Sequence, residues 1–151
     1  MLPFPVLTLP PARLDIKKNN DQYFVRCLVR KKWIILTPEE WVRQHYIFFL
    51  VDNLNVPISY VSVEKAIQYG ELTKRWDILV YSRSHTPLIL IECKAPHIVL
   101  SNKTLFQLFT YQHVIQGEYL GISNGIDHSF YSIEAEGDKK LVEITSFPSW
   151  N

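Results

Sequence analysis

The chain has 151 residues, close to the commonest size of a single folded domain, and is 47% hydrophobic and 21% charged. That balance excludes a disordered or fibrous protein and predicts one compact core. Its formal net charge of +1 announces no global attraction for nucleic acid, although a local basic patch can exist on a neutral protein. The two cysteines, Cys27 and Cys93, form no C-x-x-C pair and are too few for a zinc site, so buried free thiols in a reducing cytoplasm are expected. No apolar run reaches the length of a membrane span. The opening MLPFPVLTLPPARL lacks a basic start and is broken by Pro3, Pro5, Pro10 and Pro11, unlike a signal peptide.

In chain order, residues 1–20 read as a proline-rich arm and residues 21–151 as the domain proper. The prolines argue against regular structure, but Leu2, Phe4, Val6, Leu7 and Leu9 are too apolar for a solvated tail, so the arm is expected to pack on the body or on a partner. Residues 22–36 combine β-branched and aromatic residues with a basic centre (Arg26, Arg30, Lys31, Lys32) and predict a strand or hairpin. Thr37-Pro38-Glu39-Glu40 is a helix start: Thr37 caps, Pro38 suits the first helical position, and Glu40 completes a capping box. The helix is expected to run to about Asn53, with Val42, Tyr46, Phe49 and Leu50 on its apolar stripe.

Three strand-like runs follow, Tyr60–Gln68, Arg75–Tyr81 and Leu88–Ala95. Residues 102–116 predict a second helix, stopped by Gly117, with Leu105, Leu108, Phe109 and either Gln112 or Ile115 on one stripe. Tyr119–Ser123 is a further strand, Asn124-Gly125 a turn, and Phe130–Ile133 with Leu141–Ile144 a closing hairpin. The order is helix, three strands, helix, strand.

An acidic residue two places before a lysine occurs three times: Asp15/Lys17, Glu92/Lys94 and Asp138/Lys140. The first and last sit among polar neighbours, where charge is simply solvated. Glu92/Lys94 lies in LILIECKAP, a run apolar enough for a strand buried on both faces. Desolvating an ion costs several kcal/mol, so such a position calls for pairing or a metal. Strand alternation turns Glu92 and Lys94 to one face, roughly 7 Å apart. Asp77, in the preceding apolar run RWDILVY, joins them if the two strands form a hairpin. Two carboxylates and an ammonium then converge, a set suited to phosphodiester hydrolysis. Asp77, Glu92 and the Cys93 carbonyl would ligate Mg²⁺ (with Mn²⁺ as substitute), and Lys94 would orient water or offset developing charge. The alternative is a buried Glu92–Lys94 pair with Asp77 facing a turn.

The runs TPEEWVRQ, KRWDILVY, LILIECKAP, Gln107-x-x-x-Tyr111 and ISNG together resemble the PD-(D/E)XK nuclease superfamily. More narrowly, they resemble the N-terminal nuclease domain of type I restriction enzyme R subunits in its short stand-alone bacterial form. The resemblance covers about residues 25–125 and implies an α/β (α+β) fold: a restriction-endonuclease-like αβββαβ core whose mixed central sheet is flanked by helices. It implies that Asp77, Glu92 and Lys94 are the catalytic trio and that Gln107 lies near the site. It also implies a glutamate on the first helix. Glu40 is accounted for by capping, whereas Glu39 shares the stripe of Val42, Tyr46 and Leu50 and fits an E-x-x-x-R spacing with Arg43, so Glu39 is preferred over Glu40. Trp76 replaces the superfamily's proline before the aspartate. No G-x-x-x-x-G-K motif for a translocase occurs, so translocation or sequence recognition would fall to another chain. The expected partner is nucleic acid, DNA in the first place, with no membrane. Because double-strand cutting ordinarily takes two sites, a homodimer or partner restriction or translocase subunits are the assemblies expected.

Two rival readings remain. Gly121-Ile122-Ser123-Asn124-Gly125 matches the G-x-S-x-G nucleophile elbow, with Asp127 and His128 following at once. The elbow requires a helix next, but HSFYSIEA alternates like a strand, and the acid and base are too close in sequence to fold back as a triad. A turn between strands is therefore expected. The other rival is a catalytically silent nucleic-acid- or protein-binding module on the same fold, with Trp33, Trp41, Trp76 and Trp150 as candidate interface aromatics.

Overall fold

The computed structural model describes residues 2–134 and 140–151, with side chains except at positions 67, 69, 72, 74 and 110–115. Asp138 of the third acid–lysine match and the side chains of Tyr111, Gln112 and Ile115 therefore lie outside the described residues. A three-stranded antiparallel sheet comes first, built from β1 (Ile16–Asn19), β2 (Gln22–Cys27) and β3 (Lys32–Ile35) in the order β1-β2-β3. The hairpin expected in residues 22–36 is present as β2 and β3. The arm is shorter than its prolines suggested: they end at Pro11, and Ile16–Asn19 pairs with β2 as a third strand.

Helix α1 (Pro38–Phe48) begins as its sequence dictates, with Thr37 Oγ1 accepting the Glu40 N–H at 3.1 Å and proline in the first turn. It continues into a π-helical turn over Phe49–Asn53, so the helical stretch ends where expected. The second sheet has six strands in sequential order: β4 (Val61–Tyr69), β5 (Leu72–Tyr81), β6 (Pro87–Cys93), β7 (Tyr119–Ser123), β8 (His128–Glu134) and β9 (Lys140–Ile144). Every pairing is antiparallel except β6 with β7. Parallel neighbours need a crossover, and α2 (Asn102–Ile115) supplies it. The expected mixed sheet flanked by helices is the observed fold.

Alternation assigns the two faces of the sheet. Ile78, Val80, Ile89, Ile91 and Cys93 pack with Val42 and Tyr46 of α1 and Leu50 of the π-helical turn, with Leu9 of the arm and Phe147 closing the same core. Leu79, Leu90, Leu120 and Ile122 pack with Leu108 of α2 on the other face. β6 is thus covered on both faces and paired on both edges, which is why LILIEC is almost continuously apolar. Each such side chain contributes about 1.5–3 kcal/mol by its burial. The arm is fastened rather than loose: Trp41 Nε1 donates to the Pro5 carbonyl at 2.9 Å, and Phe4 stacks on Trp41 with ring centroids 5.4 Å apart. Among the described residues, no helix is long and apolar enough to cross a membrane.

Candidate active site

β5 and β6 form the hairpin that the site requires. Ile78 pairs with Ile91, so Asp77 stands opposite Glu92 just beyond the last paired residues. Both carboxylates are buried, at 8% and 7% exposure. Asp77 Oδ2 accepts the Cys93 N–H at 2.7 Å, capping the strand end with a side chain, and Oδ1 accepts from Arg43 Nη2 at 2.8 Å. The Glu92 carboxyl lies within hydrogen-bonding reach of Asp77. Burial pushes the Asp77 carboxyl up, but the bond with Glu92, the Arg43 charge and the Cys93 N–H outweigh it and hold Asp77 below its ordinary value.

Arg43 is the hub of this end of the sheet. Its guanidinium also donates to Glu40 Oε1 at 2.6 Å and to Glu39 Oε1 at 2.9 Å. Burial opposes its charge, yet Glu40 and Asp77 outweigh burial and raise its pKa above the ordinary arginine value. Arg30, from the turn between β2 and β3, donates to Glu40 at 3.1 Å and lies 3.5 Å from Glu64 of β4. Glu64 sits opposite Asp77, between the pairs Val63–Ile78 and Lys65–Trp76, and its φ of +52° marks an irregularity in β4 there. Five carboxylates (Glu39, Glu40, Glu64, Asp77, Glu92) thus gather around three cations (Arg30, Arg43, Lys94).

The two first-helix glutamates are placed differently from the expectation drawn from the stripe. Glu40 is the buried one, at 6% exposure, and its carboxylate goes to Arg43, Gln44 and Arg30. Glu39 does not point into the core; its side chain is 47% exposed. It nevertheless faces the site: burial and the Asp77 charge raise its pKa, partly offset by Arg43 and Lys94. Arg43, not the apolar core, is what the carboxylates of the first turn meet. Lys94 follows β6 directly, half-buried, with its N–H donated to the Ser123 carbonyl at 2.8 Å. Its charge reaches Glu39 and opposes the rise in that carboxyl's pKa. Gln107 lies on α2 as expected but is exposed, and no described hydrogen bond joins it to the carboxylates. Cys93 is fully buried, and burial and the Asp77 charge push its thiol well above the ordinary value, which leaves the backbone carbonyl as its available donor.

A cleft of about 400 Å³ is lined by Pro3, Phe4, Pro5, Pro38, Pro96, His97 and Ile126, and so includes the residue before Glu39 and the residues two and three places after Lys94. Among the described residues, no three His, Cys, Asp or Glu side chains are grouped to hold a metal ion. The oxygen donors at the strand end are two carboxylates with a carbonyl, a smaller set than that. In donor type it fits a hard divalent ion, which takes carboxylate and carbonyl oxygens and keeps waters.

The G-x-S-x-G segment is a turn between β7 and β8, as expected. Ser123 and His128 do meet, contrary to the expectation from their spacing, because the turn brings β8 back antiparallel so that they pair directly. Ser123 Oγ lies 2.7 Å from His128 Nδ1 and accepts the Gly125 N–H at 2.9 Å. His128 Nε2 lies 2.7 Å from Thr8 Oγ1, which donates to the Ile126 carbonyl. Ser123 is fully buried, and the imidazole's second nitrogen meets an arm threonine rather than an acid. This is a fastening of arm to turn, not a hydrolase triad.

Arg43, Arg30 and Glu64 were not singled out as site residues from sequence. The signal for Arg43 was its position three and four residues after two glutamates on a helix stripe; for Glu64 it was a carboxylate within a strand, and Arg30 gave none beyond its basic neighbourhood. No curated protein matches the chain. Residues 38–148, from α1 through β9, match the family model described as type I restriction enzyme R protein N terminus. With the helix, three-stranded hairpin array, crossover helix and parallel strand all inside that match, the chain belongs to the type I restriction enzyme R protein N-terminal family.

Proposed function

We propose that the chain is a metal-dependent nuclease domain of PD-(D/E)XK type that hydrolyses DNA phosphodiester bonds with Mg²⁺, or Mn²⁺ as substitute. One observation carries this reading: Asp77 and Glu92 are buried within hydrogen-bonding reach of each other at the end of the β5–β6 hairpin. Two buried carboxylates repel unless a proton or a cation lies between them. Asp77, Glu92 and the Cys93 carbonyl would hold the ion. When bound, it supplies positive charge at the scissile phosphate and lowers the pKa of water. Arg43 fixes the Asp77 carboxylate through Oδ1. Lys94 donates hydrogen bonds to the attacking water and offsets charge developing on the phosphate. Glu39, whose carboxyl feels the Lys94 charge, would orient that ammonium, and Gln107, exposed on α2, is left for a contact with substrate. Membership in a restriction-enzyme R protein family supports DNA as the substrate. Double-strand cutting would take a homodimer or partner restriction or translocase subunits in the cytoplasm.

The second reading is a catalytically silent nucleic-acid- or protein-binding module. The ion pair of Arg43 with Asp77 Oδ1 favours it, since it closes one oxygen to a metal. Calorimetric titration of Mn²⁺ into wild type and Asp77→Asn separates the two. The nuclease reading expects binding that Asp77→Asn loses, and Mg²⁺-dependent DNA cleavage that Lys94→Ala abolishes while the fold survives. Equal Mn²⁺ binding in both proteins, or none in either, sinks the metal site and leaves the silent module.

A further inference from the structure

The charge of the chain is divided unevenly, and the proposed chemistry does not use the division. Residues 1–37 hold seven Lys or Arg against two Asp or Glu, whereas residues 38–151 hold nine against thirteen. The first segment is therefore +5 and the remainder −4 within a chain of net +1. The boundary coincides with the start of the family match at residue 38, so the positive charge rides on a sheet that precedes the family domain.

Register shows how that sheet carries it. Lys17, Phe24, Arg26, Trp33 and Ile35 share one face of β1–β3, and Val25 and Cys27 share the other. The second face packs inward, with Val25 and Cys27 fully buried. The first face looks outward: Lys17 is exposed, with its ammonium 4.2 Å from the Trp33 ring centroid, and Ile35 is 53% exposed. Lys31 and Lys32, both exposed, stand at the β2–β3 tip, where Lys31 adopts φ +58° to close the turn. That tip touches the candidate active site, because Arg30 reaches Glu40 and Glu64 from it. The tip of the sheet thus stands beside the carboxylate cluster.

We propose that the outer face of β1–β3 and its Lys31–Lys32 tip dock the sugar–phosphate backbone of a nucleic acid and lead it to the Asp77–Glu92 site. The idea deepens the nuclease reading and rests on it for the site the strand is led to. The physical need is plain. A domain of net −4 whose site gathers five carboxylates repels a polyanion, so the substrate must be held by a neighbouring cationic surface. Lysine and arginine around a tryptophan supply phosphate contacts and a stacking ring, neither of which reads sequence.

The test is fluorescence anisotropy of a labelled mixed-sequence DNA duplex and of its single strand, in EDTA so that cleavage plays no part. Wild type is compared with Lys17→Glu/Arg26→Glu, with Lys31→Gln/Lys32→Gln, and with Arg83→Glu as a control in the β5–β6 turn at the far end of that hairpin. Circular dichroism and melting check each fold, and the tip variant, on an exposed turn, guards against loss of the sheet. Each double variant is expected to weaken binding at least about tenfold and to flatten the dependence of log K on log salt by roughly 1.8, two phosphate contacts at about 0.9 each. Arg83→Glu is expected to bind as wild type. If folded double variants bind like wild type, if Arg83→Glu loses as much, or if wild type binds neither DNA form, the docking surface is refuted. Binding of polyglutamate in place of DNA also refutes it and assigns the face to an acidic protein. Variants that lose binding in EDTA, beside a wild type that never cleaves with Mg²⁺, leave the docking surface standing and remove the nuclease; cleavage with unchanged binding does the reverse.

Discussion

Replacing Arg43 by methionine tests whether an ion-pair network holds the site. The guanidinium is 5% exposed, and two of its partners, Glu40 and Asp77, are 8% and 11% exposed at their side chains. Glu39, at 47%, is largely screened and adds little. Removing one partner of a buried pair costs about 3–5 kcal/mol, because the remaining carboxylates are left without a counter-charge. Against a total stability of about 5–15 kcal/mol this is a large loss. For a domain of this size it lowers Tm by roughly 6–20 °C. Urea unfolding at neutral pH measures it, and repeating the measurement in acid isolates its origin. Asp77 is held below its ordinary value of 3.8, in part by Arg43. Its contribution is therefore fully present above that value and is lost as pH falls through the lower folded value. The gap between wild type and Arg43→Met should accordingly narrow below about pH 4. A loss under about 1 kcal/mol at neutral pH, or a gap that does not change in acid, refutes the reasoning.

His128 is held below its ordinary 6.5 by burial, partly offset by Asp127. The unfolded chain then binds a proton that the folded chain refuses, so stability is present above 6.5 and declines as pH falls from there toward the folded value. His45, also lowered by burial, acts with the same sign. His128→Gln is expected to flatten that part of the stability–pH curve in urea unfolding, and an unchanged slope sinks the assignment. Gly125 has φ +86°, and a Cβ there would lie 2.7 Å from Leu7 Cδ2 of the arm, whereas Gly70, at φ +60°, faces open space. Gly70→Ala should cost only the left-handed penalty of about 1–2 kcal/mol, and Gly125→Ala more, by calorimetric melting; equal losses would show that the arm does not press on this turn.

Much of this architecture was legible because it follows from local rules. The cap at Thr37, the bounds of β7 and the order of helices and strands are set by residues a few positions apart. α2 instead ends at a left-handed Gln116 (φ +60°), and Gly117, expected to stop it, is where the chain passes close to Leu90. Burial of Asp77 and Glu92 was legible too, since a strand apolar on both faces leaves a charge nowhere wet to go. The arm's apolar residues announced that it packs, but not that it would be fastened to Gly125 and His128 on the far side of the sequence.

What the sequence by itself determined is therefore the element order and the position where carboxylates are buried against their preference for water. Only the tertiary structure decided their partners. Arg43 joins Asp77 across 34 residues, and Arg30 joins Glu40 and Glu64 from another sheet. It likewise exchanged the expected burial of Glu39 and Glu40, turned Ser123 and His128 into a fastening, and gathered the basic residues of β1–β3 beside the site. The physical reason is the same in each case. Propensity, capping and alternation act over a turn or a strand, whereas the choice of counter-ion for a buried charge depends on which distant segments the packed sheet brings within about 3 Å.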